Sequence, residues 1–220
     1  RYQLGVVWRD EKPGLGRFRE FYQFDIDTVG SASMAADAEV CMVMCDSMEA
    51  LGFAKGEYLV KINNRKVLNG VLEIAGVPPV DDKGEFTAKA MTTLRAVDKL
   101  DRLGMRGVRE LLGKGRQDES GDFTPGAGLG EREQELILQY LAVTGDNRAQ
   151  VCDKLAELVK GSQMGQDGVE ELREMDRFMA VVGYGSDQAM IDPTIVRGLG
   201  YYTGPVFETV LTLPIKDEEG

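Results

Sequence analysis

Hydrophobic residues recur with two different periods along this chain. Tyr2 to Trp8 is a short apolar run containing the β-branched pair Val6-Val7, and Phe18 to Ile26 alternates apolar and polar positions. Both are strand patterns. Pro13-Gly14-Leu15-Gly16 lies between them and has the chemistry of a turn, since proline presets φ and glycine reaches positive φ. An antiparallel hairpin is predicted. Gly30-Ser31-Ala32-Ser33 then punctuates the sequence. Val40, Met44, Met48 and Leu51 recur at helical spacing, so a helix is predicted from Ala35 to Leu51, with Gly52 as its stop. Tyr58 to Ile62 reads as a strand and Asn63-Asn64 as a turn, while Lys66 to Leu72 fits either a returning strand or the start of a helix.

From Phe86 to Val182 the period lengthens and the reading is mainly helical. Met91, Leu94, Val97 and Leu100 form one apolar face ending near Gly104, and a shorter piece surrounds Val108, Leu111 and Leu112. The glycine-rich, polar stretch 113–130 reads as a loop. Helices follow around Leu136-Ile137-Tyr140-Leu141, Val151-Leu155-Leu158 and Leu172-Met175-Phe178-Met179. Val206 to Leu213 returns to near-alternation and predicts a strand. Strands with a helix, then a helical block, then strands again indicate an α+β fold with a helical insertion. The predicted partition is 1–80 for the first part of the core, 81–190 for the insertion and 191–220 for the rest of the core.

Composition narrows the picture. With 43% hydrophobic residues in 220, the chain can bury a substantial core. A formal charge of −11 argues against a generally nucleic-acid-binding surface, so an RNA ligand would need a local basic patch. Residues 1–30 balance five Lys/Arg against five Asp/Glu, and within them Arg9 to Arg19 holds four cations and two anions. Cys41, Cys45 and Cys152 do not make a disulfide framework, and the chain has no histidine, so a zinc site is not expected and no metal ligands are assigned. Reduced thiols fit a cytoplasmic compartment. No 18-residue apolar run or signal peptide is visible, so no membrane association is expected. The chain starts at Arg1 inside strand-like sequence, as a fragment of a longer protein would.

The hairpin concentrates the candidate chemistry. Arg9, Arg17 and Arg19 offer planar guanidinium forks suited to phosphate oxygens. Glu11, Phe21, Gln23 and Asp27 lie within the same twenty residues. Gln23 and Asp27 are four apart on a strand and so share a face. Taken alone, Arg9 and Glu11 also fit an ordinary surface ion pair, which does little, and Phe21 fits a core position. Gly126-Ala127-Gly128-Leu129-Gly130 has the glycine spacing of a dinucleotide fingerprint but follows no strand, so a loop is the better reading. Met42, Met44 and Met48 read as core or interface.

Arg9-x-Glu11, a short loop, and Gly16-Arg17-Phe18-Arg19-Glu20-Phe21-x-Gln23 resemble the second signature motif of class II aminoacyl-tRNA synthetases, in the form found in histidyl-tRNA synthetases. Val196-Arg197-Gly198-Leu199-Gly200-Tyr201-Tyr202-Thr203-Gly204-Pro205-Val206-Phe207-Glu208 is similar to the histidine-specific signature of that family. The resemblance implies a class II antiparallel sheet flanked by helices, with a helical insertion near the acceptor end of tRNA. It also implies activation of histidine with ATP and Mg²⁺, transfer to tRNA(His), and a homodimer. Arg9 and Arg197 would then neutralise the α-phosphate. Glu11 and Phe21 would hold adenine, with Arg17 on phosphate or tRNA. Arg9, Gln23, Asp27, Arg197, Tyr201 and Tyr202 would form the histidine pocket. Two departures stand out: Asp27 occupies a position where many relatives have glutamate, and Gly200 one where aspartate is usual. The first class II motif would precede Arg1, and the third motif and an anticodon-binding domain would follow Gly220. The alternatives are a non-catalytic relative, such as the regulatory subunit of ATP phosphoribosyltransferase, and a tRNA-sensing domain.

Overall fold

The computed structural model describes residues 1–196 and 201–214. Strands β1 (Tyr2–Trp8) and β2 (Glu20–Ile26) pair antiparallel, as the alternation predicts. Trp8 faces Glu20, Val7 faces Phe21 and Gly5 faces Gln23. This register divides the hairpin into two faces, because side chains alternate. Tyr2, Leu4, Trp8, Tyr22 and Phe24 occupy an exposed apolar face, where the Trp8 indole donates to Glu20 at 2.6 Å. Phe21, Gln23 and Asp25 point the opposite way.

Helix α1 (Met34–Ala50) starts at Ser33, whose hydroxyl accepts from the amide of Ala35, a standard N-terminal cap. Its buried residues are Ala38, Cys41 and Cys45. All three cysteines are free and buried, packed as small apolar groups. Strand β3 (Tyr58–Asn64) runs directly into helix α2 (Arg65–Ile74), so the expected Asn63-Asn64 turn is absent. The reason is local: Asn64 ends the strand in extended geometry and its side chain accepts from the amide of Lys66, capping α2.

The helical block comprises α3 (Ala88–Val97), α4 (Leu100–Leu112), α5 (Glu131–Leu141), α6 (Arg148–Leu158) and α7 (Gln163–Val182). Gly104 interrupts α4 at φ 64° and ψ 176°, which accounts for the break in the apolar pattern there. The stretch read as a loop contains a short hairpin, β4 (Gly115–Gln117) with β5 (Phe123–Pro125). The glycine run 126–130 leads into α5, with Gly130 at its cap position.

β6 (Ala189–Ile191) and β7 (Pro205–Leu211) flank β3 in a sheet ordered β6-β3-β7. β7 is antiparallel to β3 but β6 is parallel, so this sheet is mixed rather than purely antiparallel. α7 packs against both α1 and α2. The α2–α7 contact is close because Gly70 meets Gly165: a Cβ on Gly70 would lie 2.5 Å from the Gly165 Cα. Polar ties reinforce the crossing. Glu171 of α7 accepts from Asn64 at 2.7 Å and from Lys66 at 2.5 Å, and Ser162 donates to Glu73.

Candidate active site

The site is built on the polar face of the first hairpin. The backbone amide of Arg9 donates to the Arg19 carbonyl at 2.9 Å, extending the ladder one residue past β1. From there the Arg9 Nη2 donates to Gln23 Oε1 at 2.9 Å, and the guanidinium lies over the Phe21 ring, 5.2 Å from its centre. Gln23 in turn donates through Nε2 to Asp25 Oδ1 at 2.5 Å. A planar cation is thus held against an aromatic face and a neutral amide, with N–H groups left over for an anion. At the turn, Glu11 pairs with Arg17 at 3.6 Å, and Arg19 donates to the Glu11 carbonyl at 3.1 Å. Asp27 lies beyond the strand end and pairs with Arg1 at 3.8 Å, with its side chain about half exposed. The carboxylate touching Gln23 is therefore that of Asp25.

The second half of the site follows β6. Asp192 receives the Lys61 ammonium at 2.9 Å, and its Oδ1 accepts from both the amide and the hydroxyl of Thr194, at 2.9 and 2.6 Å. Burial alone would raise this carboxyl. The Lys61 and Thr194 hydrogen bonds outweigh burial and hold it below the usual carboxylate value. The Tyr201 and Tyr202 rings are 4.4 Å apart and tilted by 44°. The Tyr202 hydroxyl is pushed up, first by its hydrogen bond with Tyr201 and then by burial, while the Arg9 charge pulls it the other way. Arg197 and Gly200 lie outside the described residues.

Of the residues expected here, Arg9 contacts both Phe21 and Gln23, and Tyr201 and Tyr202 form a ring pair. Glu11 and Arg17 sit at the turn, and Asp27 is at the opposite end of the strand. Asp25 was missed, although its spacing of two from Gln23 on a strand signals a shared face.

These features define an α+β domain of the class II aminoacyl-tRNA synthetase type. Its structural likeness to the crystal structure of histidyl-tRNA synthetase from Nostoc sp. has a TM-score of 0.76 at 29% identity, covering 96% of this chain and 43% of that one. A Bacillus halodurans protein described as an ATP phosphoribosyltransferase regulatory subunit/histidyl-tRNA synthetase shares the fold, with a TM-score of 0.69 at 19% identity over 95% of this chain and 47% of its own.

The chain belongs to the histidyl-tRNA synthetase family, whose sequence profile matches residues 2–213. It is 55% identical over its whole length to the histidine–tRNA ligase of Cereibacter sphaeroides, covering 44% of that protein. The figures for the Rhizobium meliloti histidine–tRNA ligase are 53% identity and 42% coverage. The chain thus spans less than half the length of these curated relatives.

Proposed function

We propose that this chain is the catalytic region of a histidine–tRNA ligase. In the first step the carboxylate of histidine attacks the α-phosphate of ATP, the bond to the leaving pyrophosphate breaks, and histidyl-adenylate forms. In the second, a terminal ribose hydroxyl of tRNA(His) attacks the activated carbonyl and AMP leaves. Neither step needs a side-chain nucleophile, so rate comes from alignment and charge stabilisation. The single observation that carries this reading is Arg9, held by Gln23 and Phe21 on the polar face of the hairpin.

In this reading Arg9 and Arg197 oppose the charge that develops on the α-phosphate. Phe21 stacks on adenine, Glu11 contacts its edge, and Arg17 turns from Glu11 to phosphate or tRNA. Gln23 with Tyr201 and Tyr202 holds histidine. Asp27 meets the imidazole only by leaving Arg1, so the direct role belongs more naturally to Asp25 and Tyr202. Mg²⁺ would be carried mainly by the phosphates of ATP, since this ion is commonly held by one or two carboxylates plus substrate oxygens. Among the described residues no three His, Cys, Asp or Glu side chains gather as a metal cage.

The insertion, taken as 81–190 and seated on the core through α7, is assigned to tRNA. Residues 86–117 carry eight Lys/Arg against three Asp/Glu in a chain of charge −11, and Lys89, Arg95, Arg102, Arg106 and Arg109 are exposed. That is the local basic patch an RNA partner requires. The full protein is proposed to act as a cytoplasmic homodimer. No helix among the described residues is long and apolar enough to cross a membrane. The deciding experiment is ATP–pyrophosphate exchange by the full-length protein. Exchange that requires histidine supports the ligase; its absence in folded protein would assign the chain to a non-catalytic relative.

A further inference from the structure

The junction between β3 and α2 grips the segment that enters the signature and a second point within it. Asn63 is buried at 2% exposure. Its Nδ2 lies 2.8 Å from the Ile195 carbonyl, 3.2 Å from the Pro193 carbonyl and 2.7 Å from the Tyr140 hydroxyl. The Asn63 Oδ1 accepts from the amide of Asn64 at 2.8 Å and lies 3.1 Å from the same hydroxyl. Two residues on, the amide of Arg65 donates to the Gly204 carbonyl at 2.9 Å, and Asn64 pairs with Pro205 in the sheet. Tyr140 comes from the last turn of α5 and is fully buried.

A phenol can satisfy only one of a buried amide's two N–H groups. Here the amide is also aimed at two carbonyls of a loop, which fixes that loop relative to β3. Asp192 adds a second hold on the same segment: its amide donates to the Ile62 carbonyl at 2.8 Å, and its carboxylate forms the turn with Thr194. The segment entering the signature is therefore fastened to β3, and through Tyr140 to a helix far away in sequence.

We propose that Asn63 and Tyr140 are positioning residues that set the segment 193–196 leading into the histidine signature and residues 201–204 within it, and hence the placement of Tyr201 and Tyr202 for histidine. This role rests on the ligase reading for its effect on histidine, but not for its effect on the loop. The Tyr140 hydroxyl is the switchable part. Tyr140→Phe preserves volume and packing and removes one partner of Asn63, whose amide then rotates or is left underused.

The test uses the full-length protein and two independent readouts. Hydrogen exchange should show amides of 194–196 and 201–204 exchanging about tenfold faster in Tyr140→Phe, with α6 and α1 unchanged. Pyrophosphate exchange should show KM for histidine rising about tenfold, with KM for ATP altered by less than about threefold. Asn63→Ala should reproduce both effects more strongly. Unchanged loop exchange in Tyr140→Phe would overturn the proposal. So would a uniform loss of protection across the domain with normal kinetics, since that is a purely structural role. If the parent protein shows no histidine-dependent exchange, the ligase reading fails, and the loop measurement still decides the clamp.

Discussion

Arg9→Lys is the sharpest perturbation of the hairpin site. In the structure one Nη of Arg9 is committed to Gln23 at 2.9 Å, and the flat guanidinium covers Phe21 at 5.2 Å. The remaining N–H groups face outward for a ligand. Lysine keeps the charge but offers one compact ammonium on a flexible stem, which cannot bond Gln23, stack on Phe21 and meet a phosphate together. In the bound substrates the loss is roughly that of one charge-assisted bond partly replaced, about 1 kcal/mol or about fivefold in ATP affinity. As charge builds at the α-phosphate, the missing item is a preorganised donor, which typically costs ~10²–10³-fold. Steady-state pyrophosphate exchange by the full-length protein should therefore show kcat falling by about two orders of magnitude while KM for ATP moves by about fivefold. Circular dichroism matching the parent protein controls for folding. Near-normal kcat, or a defect confined to KM for ATP, would make Arg9 a binding residue with no special hold on the transition state.

Gly70→Ala should destabilise the α2–α7 crossing, because its Cβ would sit 2.5 and 2.8 Å from backbone atoms of Gly165. Overpacking costs ~1–3 kcal/mol and the helix gains up to ~1 in propensity, so protection of α2 and α7 amides should fall by about tenfold; unaltered protection would show that the helices part without cost. The depressed Asp192 carboxyl contributes stability that is present above its usual value of 3.8 and is lost as pH falls through its lower folded value. Acid should thus free residues 192–195 before the helices unfold, seen as early hydrogen exchange there, and Asp192→Asn should remove that step. Burial, the largest influence, pushes the Tyr58 hydroxyl up from 10 to about 12. Its neutral form stabilises the fold below pH 10, and this contribution declines as pH rises toward 12; tyrosinate absorbance should report the late titration, and its loss in Tyr58→Phe identifies the group.

Local patterns were readable where one physical cause acted alone. Alternation set the hairpin, and turn chemistry at Pro13-Gly14 closed it. Ser33 with the apolar spacing of Val40, Met44 and Met48 set α1 almost to the residue. The same alternation put Phe21 and Gln23 on one face, so the contacts of Arg9 with both were legible. The Asp27 contact with Arg1 was not, because parity says which face a residue occupies and not where the strand stops. The strand ends at Ile26, so Asp27 turns to Arg1 and Asp25 takes the place beside Gln23. At Asn63-Asn64 two adjacent asparagines looked like turn residues. The Asn63 amide instead meets a loop carbonyl far away in the chain, and the Asn64 side chain accepts from the Lys66 amide two residues on; only the first partner is unannounced nearby.

β6 and the α2–α7 crossing escaped the sequence for one reason: each is decided by a partner far away in the chain. β6 is three residues long and exists because Ile62 and Val60 present a ladder edge to it. Gly165 and Gly168 look like weak points in a helix when read alone. Placed against α2 they become the contact, since a Cβ on Gly168 would lie 2.8 Å from the amide nitrogen of Val67. The same logic carries from fold to site. The strand–helix junction 63–66 holds α7 through Glu171, the signature flank through Pro193 and Ile195, and α5 through Tyr140. A displacement of the helical block would have to break or drag one of these bonds. Occupancy of the basic α3–α4 face and the geometry of the histidine pocket are therefore expected to be energetically linked through this junction, and Tyr140→Phe should weaken that link more than it weakens either site alone.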